Sequence, residues 1–168
     1  LFPVGTSFID IVSPTRPRTA AGRFLERNGR GYMIIMDCDD PDRYRKRAEM
    51  LGIRVANLIR HDAYYGVQLH PRDTGATMLE FNNTAGGGDA MGSYAPAGPR
   101  WQQAIKSDVA RRLVAVEVEC PDALAERWAT LLERPVKDGR IALDSGELRF
   151  RRSPGEAFTA VDLEASKN

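Results

Sequence analysis

The chain has 168 residues, 42% apolar and 28% charged, with a formal net charge of +1. That length allows one domain or two small modules, and the composition is that of an ordinary globular protein. The balanced charge gives no electrostatic case for a nucleic-acid partner or an anionic membrane, and no apolar run reaches the ~20 residues a spanning helix needs. Residues 4–13 alternate as a strand, with Ile9 and Ile11 on one face and Phe8, Asp10 and Val12 on the other. Pro14 and Pro17 break the pattern. Thr19 is placed to cap a short helix through Arg27, and Asn28-Gly29 to end it.

Residues 31–37 form an apolar run rich in strand formers. Asp40 can then cap a helix whose first position is Pro41. Tyr44, Ala48 and Leu51 make its apolar stripe, arginines and a lysine fill the rest, and Gly52 stops it. A strand at 53–59 and a loop near His61–Tyr64 follow. The next strand carries Val67 and Leu69 alternating with Gln68 and His70, and Pro71 ends it. Asp73-Thr74-Gly75 supplies a turn. In the strand after it, Met78 and Glu80 share one face, with Thr77, Leu79 and Phe81 on the other. A carboxylate there is costly unless something pairs with it, so Glu80 is the first candidate for function.

Residues 83–107 are rich in Gly, Ala and Pro and predict a linker or surface loop pinned by Trp101; such a loop can also gate a pocket. The earlier order then returns. Residues 112–119 alternate as a strand. Cys120-Pro121-Asp122 opens a helix with Leu124, Trp128, Leu131 and Leu132 as its buried stripe. Residues 140–144 and 147–152 make a hairpin, and 158–164 the last strand. The fold class is therefore α+β, with two βαβββ modules that pair to bury or enclose a sheet face. The divisions are 1–30 (strand and short helix), 31–84 (first module), 85–110 (linker) and 111–168 (second module). Cys38 and Cys120 form no metal or redox motif and fit free thiols in a reducing cytoplasm.

The repeated order resembles the vicinal oxygen chelate superfamily, the glyoxalase and bleomycin-resistance fold. Residues 3–84 are similar to methylmalonyl-CoA epimerases in three ordered segments: Pro3 to Pro14, Thr19 to Asn28, and His70-Pro71-Arg72-Asp73-Thr74-Gly75 through Glu80. The resemblance implies a divalent metal held in a cavity by histidines from first strands and acidic or amide residues from last strands. Glu80 matches the last-strand carboxylate. Asp10 falls at the matching position of a preceding module, of which residues 1–30 would be the remnant. Met33 stands where the resemblance expects an imidazole, and a thioether is a poor ligand for a hard ion. The implied metal site is thus degenerate, with a divalent ion weakly bound or absent.

By the same resemblance, the implied chemistry is proton abstraction next to a carbonyl, as in an epimerase or lyase, with Glu80 and Asp10 as bases or ligands. His70, Gln68, Tyr32, Met33 and Met78 are the expected substrate-binding residues. The competing reading is a binder of the bleomycin-resistance type, holding a small molecule in an apolar cleft without chemistry. A third is a scaffold with a filled cavity. Each residue also has a plainer role: Glu80 as the partner of an arginine, His70 as a turn anchor, Glu117 and Asp162 as surface acids, Arg43–Arg47 as a solvated helix face. An unpaired strand at 4–13 invites a second copy of the chain, so a homodimer is expected.

Overall fold

The computed structural model describes residues 1–27 and 31–166. The chain is α+β, with three sheets, four α-helices and two short 3-10 turns among the described residues. It opens on a hairpin of β1 (Phe2–Val4) and β2 (Ser7–Ile9), with Gly5 at φ 62° in the turn. This corrects the single strand expected over 4–13. Gly5 tolerates the left-handed backbone that folds the chain back, and no strand continues past Ile9. Helix α1 (Ala20–Arg27) follows, and the Thr19 hydroxyl accepts the Gly22 N–H at 3.1 Å. The expected stop at Asn28-Gly29 lies outside the described residues.

The first βαβββ unit comprises β3 (Met33–Asp37), α2 (Pro41–Met50), β4 (Val55–His61), β5 (Tyr64–Leu69) and β6 (Met78–Thr84), with a one-turn helix α3 (Pro71–Thr74) before β6. Asp40 caps α2 as its position implies, its side chain accepting the Asp42 and Arg43 N–H groups. The loop expected near His61–Tyr64 is a tight turn, with Asp62 at φ 48°. Strand order is β3-β6-β5-β4, with β3 parallel to β6 and the other pairs antiparallel. The second unit comprises β7 (Ala110–Cys120), α4 (Asp122–Leu132), β8 (Arg140–Leu143), β9 (Gly146–Arg152) and β10 (Ala157–Ala165).

Element order repeats between the units, but strand order does not. The second sheet runs β10-β7-β9-β8, with β7 parallel to β9. The last strand of the first unit inserts beside the first strand, at the centre. The last strand of the second unit lies outside it, paired with β7 alone. Strand-for-strand superposition of 31–84 on 112–165 therefore fails. Alternation sets which face a strand buries, not which neighbour it takes.

The two units share one apolar core. Val67, Leu69, Leu79 and Phe81 from the first sheet join Val118, Leu148, Leu124, Trp128 and Leu131 from the second. Phe81 stacks on Tyr44 of α2 with ring centroids 4.2 Å apart. Trp128 is fully buried, and its indole N–H donates to the Thr74 carbonyl at 2.8 Å. Helices α2 and α4 meet through Arg127, which donates to the Leu51 carbonyl at 3.2 Å, and Arg47, which donates to that of Leu131 at 3.3 Å. The sheets touch at their edge strands, where Gly31 N–H donates to the Phe158 carbonyl at 3.2 Å. A side chain at residue 31 would run into the Phe158 ring. Among the described residues no helix is long and apolar enough to cross a membrane.

Asp73 fixes α3 to the start of β4. Its carboxylate accepts the Arg54 backbone N–H at 3.0 Å and two guanidinium bonds at 2.7 and 2.8 Å. These bonds, the Arg54 guanidinium foremost, hold the Asp73 carboxyl well below the usual carboxylate range. A depressed carboxyl pKa contributes stability above its unfolded value, roughly 4, and loses it as pH falls toward the folded value. Denaturant titrations across that acid range are expected to show this loss, with a flatter slope in Arg54→Ala. An unchanged slope in the variant would refute the linkage.

Candidate functional site

The face of the first sheet turned away from α2 collects the polar residues. Pairing places Met33, Ile35 and Asp37 of β3 beside Met78, Glu80 and Asn82 of β6, respectively. On the other side of β6, Gln68 lies beside Glu80, and Gly66 beside Asn82. Cross-strand partners point to the same face, so these side chains form one patch. Glu80 is 2% exposed and Asn82 fully buried.

Glu80 accepts hydrogen bonds from the Tyr64 hydroxyl and from the Gln68 amide, the latter at 2.7 Å. Gly66 makes room for it: a Cβ there would lie 2.8 Å from a Glu80 carboxylate oxygen. Among the described residues no lysine or arginine pairs with Glu80; its partners there are the Tyr64 hydroxyl and the Gln68 amide. The Asn82 amide lies by the Tyr94 hydroxyl, yet among the described residues neither its nitrogen nor its oxygen completes a well-formed hydrogen bond. Buried polar atoms without partners are rare and costly.

The patch is covered by segments from outside the sheet. Phe8 of β2 stacks on Tyr94, centroids 4.9 Å apart, and meets Trp101 edge to face at 4.9 Å. Tyr94 also meets Tyr64 edge to face at 6.5 Å. Trp101 is buried and its indole donates to the Gly92 carbonyl at 3.0 Å, so the pin expected at this residue is present. The Thr84 hydroxyl accepts the Ala95 N–H at 3.3 Å, fixing the loop after β6 to the sheet. Aromatic rings thus cover the place where a hollow over Glu80 is expected. Ile35, 42% exposed, and Asp37 leave the β3 side open. Surface clefts of about 570 and 390 Å³ lie elsewhere, around 97–104 and 14–26.

The local field is negative. The Tyr94 phenol is pushed up to about 12, first by burial and then by the charges of Glu80, Asp37 and Asp10. Burial, donation to Glu80 and that carboxylate's charge push Tyr64 far above the ordinary phenol value. Asp37 is also raised, first by desolvation; the Cys38 backbone N–H partly offsets this and the Asp39 charge adds to it. Burial pushes Cys38 up to about 12 and Cys120 up to about 11, so neither thiol is a ready nucleophile.

The other candidates separate. Asp10 is exposed beyond β2 and near enough to act on Tyr94 electrostatically, but it makes no bond to Glu80. His70 caps α3, its Nδ1 accepting the Arg72 N–H at 3.2 Å, which is the turn-anchoring role. Tyr32 packs edge to face on Phe24 at 5.1 Å. Met33 and Met78 line the patch beside Glu80. In the second sheet, Glu117 accepts from Arg151 at 2.9 Å and Asp162 pairs with Arg149, so those acids are neutralised.

Sequence reasoning missed Asp37, Asn82 and Tyr94; Tyr64 it offered only as a residue at a pocket mouth. Asn82 is two residues past Glu80, and strand alternation alone places it on the same face. The implied metal does not suit this donor set. Both Glu80 oxygens already accept bonds, Met33 offers only a thioether where the resemblance implies an imidazole, and among the described residues no three His, Cys, Asp or Glu groups converge. No protein-family model and no curated protein matches the chain.

Proposed function

We propose that the chain is a small-molecule binder, with the Glu80 patch as its site, on a fold of the vicinal oxygen chelate type. The observation that carries this is Glu80 itself: a buried carboxylate with neutral donors, beside a buried amide that completes no well-formed hydrogen bond among the described residues. A carboxylate in that setting costs folding free energy, and function is the common reason such a group is kept. The order β3-β6-β5-β4 and the resemblance of residues 3–84 support the fold assignment. Met33, Met78 and Ile35 supply an adaptable apolar wall, and the Phe8–Tyr94–Trp101 cover excludes water.

Proton abstraction next to a carbonyl is the second reading, and the buried carboxylate is what favours it. Enolate formation also needs a group to hold the developing oxyanion. Tyr64 already donates to Glu80, which leaves the Tyr94 hydroxyl for that task. Binding makes no such demand and is the better supported.

A fragment library screened by amide-detected NMR tests the proposal. Binding fragments are expected to move the Gln68 and Asn82 side-chain signals in the parent, and to lose most of that response in Glu80→Gln. Hits confined to other surfaces, or responses unchanged in Glu80→Gln, would sink it. Elemental analysis of protein purified without chelator tests the metal-free form of the site. A stoichiometric divalent ion released by Glu80→Gln would overturn that form.

A further inference from the structure

We propose that the Glu80 patch selects a small organic cation, a primary ammonium carried on an apolar body, with Asp37, Asn82 and Tyr94 receiving the charged end and Glu80 behind them. This inference rests on the small-molecule reading above and names the ligand's chemical class.

Three observations point the same way. First, among the described residues the acids of the patch have no lysine or arginine as counter-ion. Asp37 and Glu80 lie on one face, at successive same-face positions of the parallel pair β3/β6, and among the described residues neither forms a salt bridge with a lysine or arginine. The acids of the second sheet behave in the opposite way, since Glu117 and Asp162 each have an arginine. Charge of one sign left unneutralised beside a low-dielectric wall attracts the opposite charge.

Second, Asn82 lies directly beside Asp37 in the register, and neither of its amide atoms is satisfied by the described residues. An ammonium carries three donors and no acceptor. The Asp37 carboxylate and the Asn82 amide oxygen belong to register partners, and the Tyr94 hydroxyl lies by the Asn82 amide, so all three elements carry acceptors for such a group.

Third, the cover is aromatic. Tyr64 and Tyr94 lie near both carboxylates, Phe8 stacks on Tyr94, and aromatic faces attract cations further. The exposed side of Ile35 and Asp37 gives the ligand its approach, and the methionines next to it receive an apolar body.

NMR titration with phenethylamine, phenethyl alcohol and phenylacetate tests the class. Phenethylamine is expected to move the Asn82 side-chain signals saturably. Its affinity should weaken roughly tenfold or more in Asp37→Asn, as for loss of a charged hydrogen-bond partner, and weaken again with added salt. Asp37 is solvent-accessible, so that variant is expected to fold. The inference is overturned if phenethyl alcohol binds as well as the amine, or if Asp37→Asn leaves amine affinity unchanged. Binding of the alcohol or phenylacetate at these signals, with the amine silent, refutes the cation class while the Glu80 site stands. Silence from all three also refutes the cation class, and the fragment screen separately decides the broader reading.

Discussion

Trp128→Ala is expected to cost about 3–5 kcal/mol, the range for emptying a large buried aromatic site. Whole domains are stable by only about 5–15 kcal/mol, so this one truncation is expected to leave the chain marginal or unfolded. The reason is position. Trp128 projects from α4 of the second unit, yet its indole bonds to the Thr74 carbonyl of the first, and its ring meets Phe150 edge to face at 5.7 Å. The substitution opens a cavity and leaves a buried carbonyl without its donor. Trp128→Phe keeps much of the volume and loses the bond, so its cost should be smaller, roughly 1–3 kcal/mol. Urea denaturation followed by circular dichroism measures both. A loss below about 1 kcal/mol for Trp128→Ala would show that the two units do not depend on a common interior.

Replacing Glu80 with Leu and Tyr64 with Phe together is expected to raise stability by about 1–3 kcal/mol while abolishing ligand response at the patch. Apolar replacements for buried ionic groups are often neutral or stabilising on that scale. Glu80 is 2% exposed and its two donors are neutral, so nothing fully offsets the loss of its hydration. Gln68 is half-buried and can turn to water once its acceptor is gone. Glu80→Leu alone should behave differently. It strands the Tyr64 hydroxyl, and the penalty for an unmade buried bond, about 1–3 kcal/mol, opposes the gain. Denaturant midpoints of the parent, the single and the double variant separate these cases. A double variant less stable than the parent would make Glu80 a structural residue and remove its claim to function.

Local signals carried much of the fold. Asp40 and Pro41 announced α2 because a cap and a first-turn proline act within a few residues. The alternation from Met78 to Phe81 placed Glu80 opposite Leu79 and Phe81 because side-chain direction in a strand follows from the backbone alone. What escaped depends on distant partners. β10 pairs outside β7, whereas β6 pairs inside, and both strands read alike in sequence. The hairpin at the start turns on Gly5, a single residue within an alternating pattern. Asp37 reached the site only through the parallel pairing of β3 with β6, and Tyr94 through a Gly- and Pro-rich stretch without strand or α-helical periodicity. Met33 was expected both where the resemblance puts an imidazole and among the substrate-binding residues with Met78; the register sets the two methionines side by side.

Phe8, Tyr94 and Trp101 cap the patch, yet none of them belongs to the shared apolar core. If the patch binds a ligand as proposed, selectivity and foldedness are written in different parts of the chain. Mutations in the opening hairpin or in the loop after β6 can retune what is admitted without disturbing the scaffold beneath. A lineage of such proteins would diversify its ligands at these segments first, while the framework stays fixed.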